Sequence, residues 1–165
     1  MSLNAAPSAN RVHISFFGRR NTGKSSLLNA VTGQDMAVVS DVKGTTTDPV
    51  QKAMELLPIG PVLLIDTPGM DDDQEGLGIL RVKKAEQVLH KTDVAVLVAE
   101  AGKELTFMER QLIELFEKRE LPYLLVYNKM DLLSEEKRPE TDHEIYVSAQ
   151  KGIHIFELKE KLGSL

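Results

Sequence analysis

The chemistry easiest to read in this chain lies near its start, in Gly18-Arg19-Arg20-Asn21-Thr22-Gly23-Lys24-Ser25. This stretch fits G-x-x-x-x-G-K-[ST], a loop whose successive backbone N–H groups cradle phosphates while the lysine reaches the terminal ones and the hydroxyl meets Mg²⁺. Arg20, Asn21, Thr22, Gly23, Lys24, Ser25 and Ser26 are therefore the candidate phosphate-binding residues, and Ser25 is a candidate Mg²⁺ ligand. Such a loop works where it leaves a buried strand and opens a helix, because the unpaired N–H groups and dipole of a helix start favour an anion. Val12 to Phe17 reads as that strand and Lys24 to Thr32 as that helix.

Three more polar stretches carry chemistry. Asp66-Thr67-Pro68-Gly69 follows an apolar run, and Asp66 at its tip can hold Mg²⁺ through water, since this ion prefers octahedral oxygen ligands and sheds its waters reluctantly. Gly69 lets the backbone approach closely, so its N–H can sense a γ-phosphate. In Asn128-Lys129-Met130-Asp131, the Asp131 carboxylate can accept from N1–H and N2–H₂ of guanine, a donor pair that adenine does not present. The fourth stretch is Ser148-Ala149-Gln150-Lys151-Gly152. The alternative for Asp66-Thr67-Pro68-Gly69 is a mere Pro-Gly turn, and Asn128-Lys129-Met130-Asp131 as an isolated string is more often a plain turn. Their order downstream of a phosphate loop is what gives them weight.

The elements that must position these residues are visible as apolar patterning. Val50 to Leu57 and Val62 to Ile65 read as a hairpin punctuated by Pro58-Ile59-Gly60-Pro61, followed by a helix from about Leu77 to Leu89. Val94 to Ala99, Pro122 to Tyr127 and Glu144 to Val147 read as further strands, with helices at Leu105 to Lys118 and Ile153 to Leu162. Leu105, Met108, Leu112, Leu115 and Phe116 recur every three or four residues, the stripe of a helix packed on a sheet. Alternation of this kind predicts an α/β fold, a three-layer sandwich with a six-stranded, mainly parallel sheet and one antiparallel edge strand. Ligands of such sheets bind outside the carboxyl ends of the strands, where all four polar stretches fall.

Composition narrows the class. With 165 residues, 42% of them hydrophobic and 27% charged, the chain is expected to form one globular domain over 11–165 after a flexible leader, 1–10. A net charge of −5 argues against a whole-domain nucleic-acid footprint, and no apolar run approaches the roughly 20 residues that span a bilayer. A cytoplasmic location without membrane or nucleic-acid partners is expected. There is no cysteine, so no iron–sulfur cluster can be built within these residues.

GRRNTGKS, GTTTDP, DTPG, NKMD and SAQK, in that order across Val12 to Leu162, resemble the five signature motifs of the translation-factor-type small GTPases. Gly44-Thr45-Thr46-Thr47-Asp48-Pro49 is similar to the second motif of the TrmE and Era branch. More narrowly, GRRNTGKSSLLNAVTGQ, VVSDVKGTTTDPV, KAMELLPIGPV and IDTPGMDDD resemble the HydF family, the maturation GTPases of iron–iron hydrogenases. The resemblance implies GTP and GDP as ligands. It makes Ser25 and Thr46 direct Mg²⁺ ligands, with Thr45 or Thr47 as the alternative because three threonines blur the register. It gives Lys24 the β- and γ-phosphates, Asn128 a supporting role, Lys129 the purine face, and Ala149, beside Gln150, an N–H for the guanine oxygen, with Ser148 bracing Asp131. Lys24, Thr46 and Gly69 are then the residues at the transferring phosphoryl group. A HydF-like protein would continue past Leu165 into dimerisation and cysteine-bearing cluster domains, and its partners would be hydrogenase maturation enzymes and the hydrogenase apoprotein, with a homodimer as one form.

Two departures bear on mechanism. Met70 stands where Ras-like enzymes have a water-orienting glutamine, so intrinsic hydrolysis should be slow. Arg20 stands where those enzymes have a glycine that admits an arginine finger. In the TrmE-like branch a K⁺ ion, held partly by the residue matching Asn21, takes that role, and K⁺-stimulated hydrolysis is the corresponding expectation; the alternative for Asn21 is a hydrogen bond that merely stiffens the loop. Asp71-Asp72-Asp73-Gln74-Glu75 is either a solvated face or a source of a water-positioning carboxylate or partner surface. Three functions are compatible with these residues: a GTP-hydrolysing switch in hydrogenase maturation, a TrmE- or Era-like GTPase of tRNA modification or ribosome assembly, and a GTP-binding module with negligible hydrolysis. The nucleotide assignment is checked by titration of GTP and XTP: Asp131→Asn should move preference from guanine toward xanthine nucleotides and Lys24→Ala should abolish tight GTP binding, whereas normal GTP affinity in both variants would overturn it.

Overall fold

The computed structural model describes residues 11–18, 22–33, 50–56, 59–67, 86–129 and 143–164. The chain runs β1 (Val12–Gly18), α1 (Lys24–Thr32), β2 (Val50–Leu56), β3 (Gly60–Asp66), α2 (described over 86–89), β4 (Val94–Glu100), α3 (Phe107–Lys118), β5 (Tyr123–Asn128), β6 (Glu144–Tyr146) and α4 (Ile155–Ser164). Six strands form one sheet in the order β2-β3-β1-β4-β5-β6. Only the β2–β3 pair is antiparallel; β1–β3, β1–β4, β4–β5 and β5–β6 are parallel. The fold is thus a mainly parallel α/β sheet with the expected antiparallel edge.

The near-continuous apolar strands are explained by burial on both faces. Side chains alternate across the pleat. Ile14, Phe16, Val96, Val98, Leu124 and Val126 face one core, shared with Leu27, Leu28 and Val31 of α1 and Leu158 and Leu162 of α4. Phe17, Ala95, Leu97, Leu125 and Tyr127 face the other, shared with Leu89, Met108, Leu112 and Phe116. The predicted stripe on α3 is that second core: Met108, Leu112 and Phe116 are fully buried, while Leu105 and Leu115 pack at its margin.

Several element ends differ from the pattern-based reading, each for a local reason. α3 begins at Phe107 rather than Leu105 because Thr106 caps it: Thr106 Oγ1 accepts from the Glu109 N–H (3.2 Å) and Glu109 Oε1 from the Thr106 N–H (2.8 Å), a reciprocal capping box. β3 begins at Gly60, two residues earlier than expected. Pro61 is tolerated there because β1 pairs with β3 only from Val62 on, leaving one side of the ladder open at the proline. β5 runs one residue further than expected and ends on Asn128 itself.

The topology determines where chemistry can occur. β3 and β4 lie on opposite sides of β1, so the chain reverses its direction of winding there, and the loop after β1 opens at that switch point. The carboxyl ends of β1, β3, β4 and β5, namely Gly18, Asp66, Glu100 and Asn128, share one edge of the sheet. Among the described residues no helix is long and apolar enough to cross a membrane.

Candidate functional site

The phosphate loop is held by its neighbours at both glycines. A Cβ on Gly18 would stand 2.9 Å from the Val98 carbonyl oxygen and 3.0 Å from Thr22 Oγ1. At Gly23 the φ of +82° is the left-handed conformation that glycine adopts without strain, and a Cβ there would lie 2.3 Å from Asn128 Nδ2. The spacing of the two glycines therefore records two close approaches, one to β4 and one to the end of β5. Gly23 is also the N-cap of α1; it supplies no side-chain cap, and the helix has no acidic residue in its first turn. That helix start presents N–H donors and a positive dipole end without a built-in carboxylate to compete for them.

Asn128 is the bridge across the site. Its Nδ2 donates to the Thr22 carbonyl (2.9 Å) and more weakly to that of Gly23 (3.5 Å), and its Oδ1 accepts from the Ala149 N–H (3.0 Å). One buried amide thus joins the phosphate loop to the loop after β6. That second loop is braced internally: Ser148 and Ile153 exchange backbone hydrogen bonds, and Ser148 Oγ accepts from the Lys151 N–H. The structure gives the Ala149 N–H to Asn128, so a guanine oxygen at this point must share a donor that already holds the two loops together.

Lys24 is 7% exposed, and its ammonium needs a counter-charge. It has Asp66, with Nζ 3.0 Å from Oδ1, and it donates to the Thr67 carbonyl. The Lys24–Asp66 contact is Coulombic and off the line of a hydrogen bond, so Asp66 Oδ1 is a buried oxygen that retains acceptor capacity. Thr67 is pinned in turn, both its N–H and its Oγ1 donating to the Phe16 carbonyl at 3.2 and 2.7 Å. β1 and β3 are thereby locked at the end that carries the loop.

This donor set fits Mg²⁺. Asp66 offers a hard carboxylate oxygen with unused capacity, Ser25 a half-buried hydroxyl, and no cluster of three or more His, Cys, Asp or Glu among the described residues forms an all-protein cage of the kind Mg²⁺ seldom uses. When bound, the ion neutralises charge on the β- and γ-phosphate oxygens. Lys24 and Ser25 lie on consecutive positions of α1, so an ammonium and a hydroxyl are carried by the same first turn of the helix.

Of the remaining predicted residues, Ser26 is exposed and Thr22 fully buried, so the cradle can use Ser26 only through its backbone or an outward hydroxyl. Gln150 is exposed beside Ala149. Arg20, Asn21, Thr45, Thr46, Thr47, Gly69, Met70 and Asp131 lie outside the described residues, as do the leader and the acidic run from Asp71. Two residues at the site were not singled out from sequence. Thr67 acts through its carbonyl and hydroxyl. Glu100 ends β4 and faces Lys129, and the available signal was a carboxylate closing an otherwise apolar strand.

A phosphate loop at the switch point, an ion pair between Lys24 of α1 and Asp66 at the end of β3, and an asparagine joining the phosphate and base-side loops define a P-loop GTPase domain. Residues 13–129 match the family described as 50S ribosome-binding GTPase, and the chain belongs to that family. It is 37% identical to GTPase Der of Wolinella succinogenes over 97% of its length and 36% of that protein's. It is 39% identical to tRNA modification GTPase MnmE of Synechococcus sp. strain JA-3-3Ab over 93% of its length and 34% of that protein's. Among solved structures, Era of Aquifex aeolicus bound to GDP and AlF4⁻ superposes with a TM-score of 0.74 at 25% identity, covering 92% of this chain and 56% of that one. The chain spans about a third of the length of the relatives it matches.

The steric interlock between Gly23 and Asn128 is testable. Gly23→Ala should weaken GDP binding at least about tenfold, by combining a strained left-handed alanine with displacement of the Asn128 amide. Gly33→Ala, at φ +70° with open space around its Cβ position, should cost only about 1 kcal/mol of stability and leave affinity unchanged. Fluorescence titration with a labelled GDP and thermal melting check both.

Proposed function

We propose that this GTPase domain is the nucleotide-controlled switch of a larger protein, its output being conformational rather than chemical. The observation that carries the reading is the bridge made by Asn128. Because one side chain bonds both the loop that cradles phosphate and the loop that meets the base, the two halves of a nucleotide are read by one connected unit. The segments expected to respond, 35–48 and 69–78, flank β2 and β3, and Asp66 is the point where a change at phosphate and metal would enter the second of them.

Hydrolysis is proposed to be slow without a cation and accelerated by K⁺. Met70 in place of a water-orienting glutamine, and Arg20 and Asn21 in the loop, support that reading. Phosphate release under multiple turnover should be several-fold faster in KCl than in NaCl at equal ionic strength, and Asn21→Ala should lose the difference. Equal rates in the two salts would overturn the cation proposal, and no turnover in either would favour a GTP-binding module that barely hydrolyses.

On the process served, two readings have support. The relatives named tRNA modification GTPase, together with an Era structure that holds MgGDPNP and nucleotides 1506–1542 of 16S ribosomal RNA, favour an RNA-centred role, and they are the stronger support. The extended likeness to HydF in GRRNTGKSSLLNAVTGQ and VVSDVKGTTTDPV favours hydrogenase maturation, in which nucleotide state would govern contact with maturation enzymes or cluster delivery to the hydrogenase apoprotein. Disruption of the gene in its native host separates them: loss of hydrogenase activity with unchanged tRNA nucleosides and ribosome profiles supports maturation, and the converse supports the RNA-centred role.

A further inference from the structure

We propose that Glu100 is a positioning residue for nucleotide binding, holding Lys129 in the extended form that a purine ring packs against. This deepens the reading of Lys129 as the residue over the base and rests on it.

Three independent features converge on Lys129. Its backbone is left-handed, with φ +67°, a conformation that strains a non-glycine residue and persists where the surroundings impose it. Its stem lies against the phosphate loop, with Cε 3.9 Å from the point a Cβ on Gly23 would occupy. Its ammonium is 3.8 Å from Glu100 Oε1. The side chain is therefore stretched between the loop on one side and a carboxylate on the other.

Glu100 is itself held. It is the last residue of β4, in register with Asn128, and the next residue, Ala101, donates its N–H to the Asn128 carbonyl at 2.8 Å. Its other oxygen, Oε2, is 2.9 Å from Lys103 Nζ. The Glu100 side chain is only 12% exposed, against 35% for Lys129 and 67% for Lys103, so the pair with Lys129 is less screened than a surface ion pair. Glu100 thus has a lysine against each of its carboxylate oxygens.

The physical consequence is pre-organisation. A free lysine side chain samples many rotamers, and much of that freedom is lost in the binding step if the side chain is ordered only when the base arrives. A tether made beforehand moves that loss out of the binding step. Lysine packed on a ring face does not read the ring's edge, so the effect should be the same for any purine at this site.

The test is a set of affinities for GDP and IDP on the full chain, with thermal melting alongside. Glu100→Gln should weaken both nucleotides alike, about fivefold and mainly through faster release, at unchanged melting temperature. Lys129→Ala should weaken them at least as much, and adding Glu100→Gln to it should change affinity less than about twofold, because the tether then has nothing to hold. Lys103→Ala should stay within about twofold of the parent, since it leaves the Glu100–Lys129 pair in place. Additive losses in the double variant, a loss confined to GDP, or an equal loss in Lys103→Ala would overturn the proposal. Unchanged affinity in Lys129→Ala would instead overturn the reading of Lys129 on which it rests.

Discussion

The site depends on the side chain of Asn128. Its amide is nearly fully buried at the end of β5, and it spends both its nitrogen and its oxygen on backbone groups of two different loops, Thr22 and Ala149. A neutral hydrogen bond of this kind stabilises by about 1 kcal/mol, but leaving a buried partner unmade costs more, so the three segments are coupled more tightly than the bond count suggests. The same amide dictates a glycine at position 23, since its Nδ2 occupies the space a Cβ would need. The two motifs are one object, and neither can move without the other.

A second constraint is electrostatic. Lys24 is buried at the base of the loop, and a buried ammonium is costly without a counter-charge. Asp66 supplies it from the adjacent strand, and Thr67 locks that strand end to β1 through the Phe16 carbonyl. The residue that neutralises the lysine is thus the same residue that suits Mg²⁺. On the base side Glu100 stands in a similar relation to Lys129, so each lysine of the site has a carboxylate at the end of a neighbouring parallel strand.

The legibility of this arrangement in the sequence is uneven. Gly18, Gly23 and Lys24 were recognisable from spacing, and the stripe Met108, Leu112 and Phe116 from helical periodicity, because both are local patterns that the chain must show wherever it folds. Asp66 and Asn128 were recognisable because each ends an apolar strand, and in a parallel sheet strand ends converge. Glu100 ends a strand in the same way, yet only the three-dimensional contact with Lys129 gives it a role. The use of the Ala149 N–H was also beyond reach of the motif, since a backbone donor has no sequence identity and its acceptor lies 21 residues away.

What the sequence by itself determined is the class: a phosphate loop followed by carboxylate, asparagine and serine motifs in fixed order, on strands and helices that alternate, makes a guanine-nucleotide domain with a mainly parallel sheet. Local pattern suffices there because hydrophobic period and loop chemistry act over a few residues at a time. The tertiary structure alone decided which groups share partners: that Asn128 divides its amide between two loops, that Lys24 meets Asp66, that Lys129 is stretched toward Glu100. Those choices depend on the order β2-β3-β1-β4-β5-β6, which brings residues distant in the chain within hydrogen-bond and ion-pair reach, and no spacing along the sequence encodes a distance across the sheet.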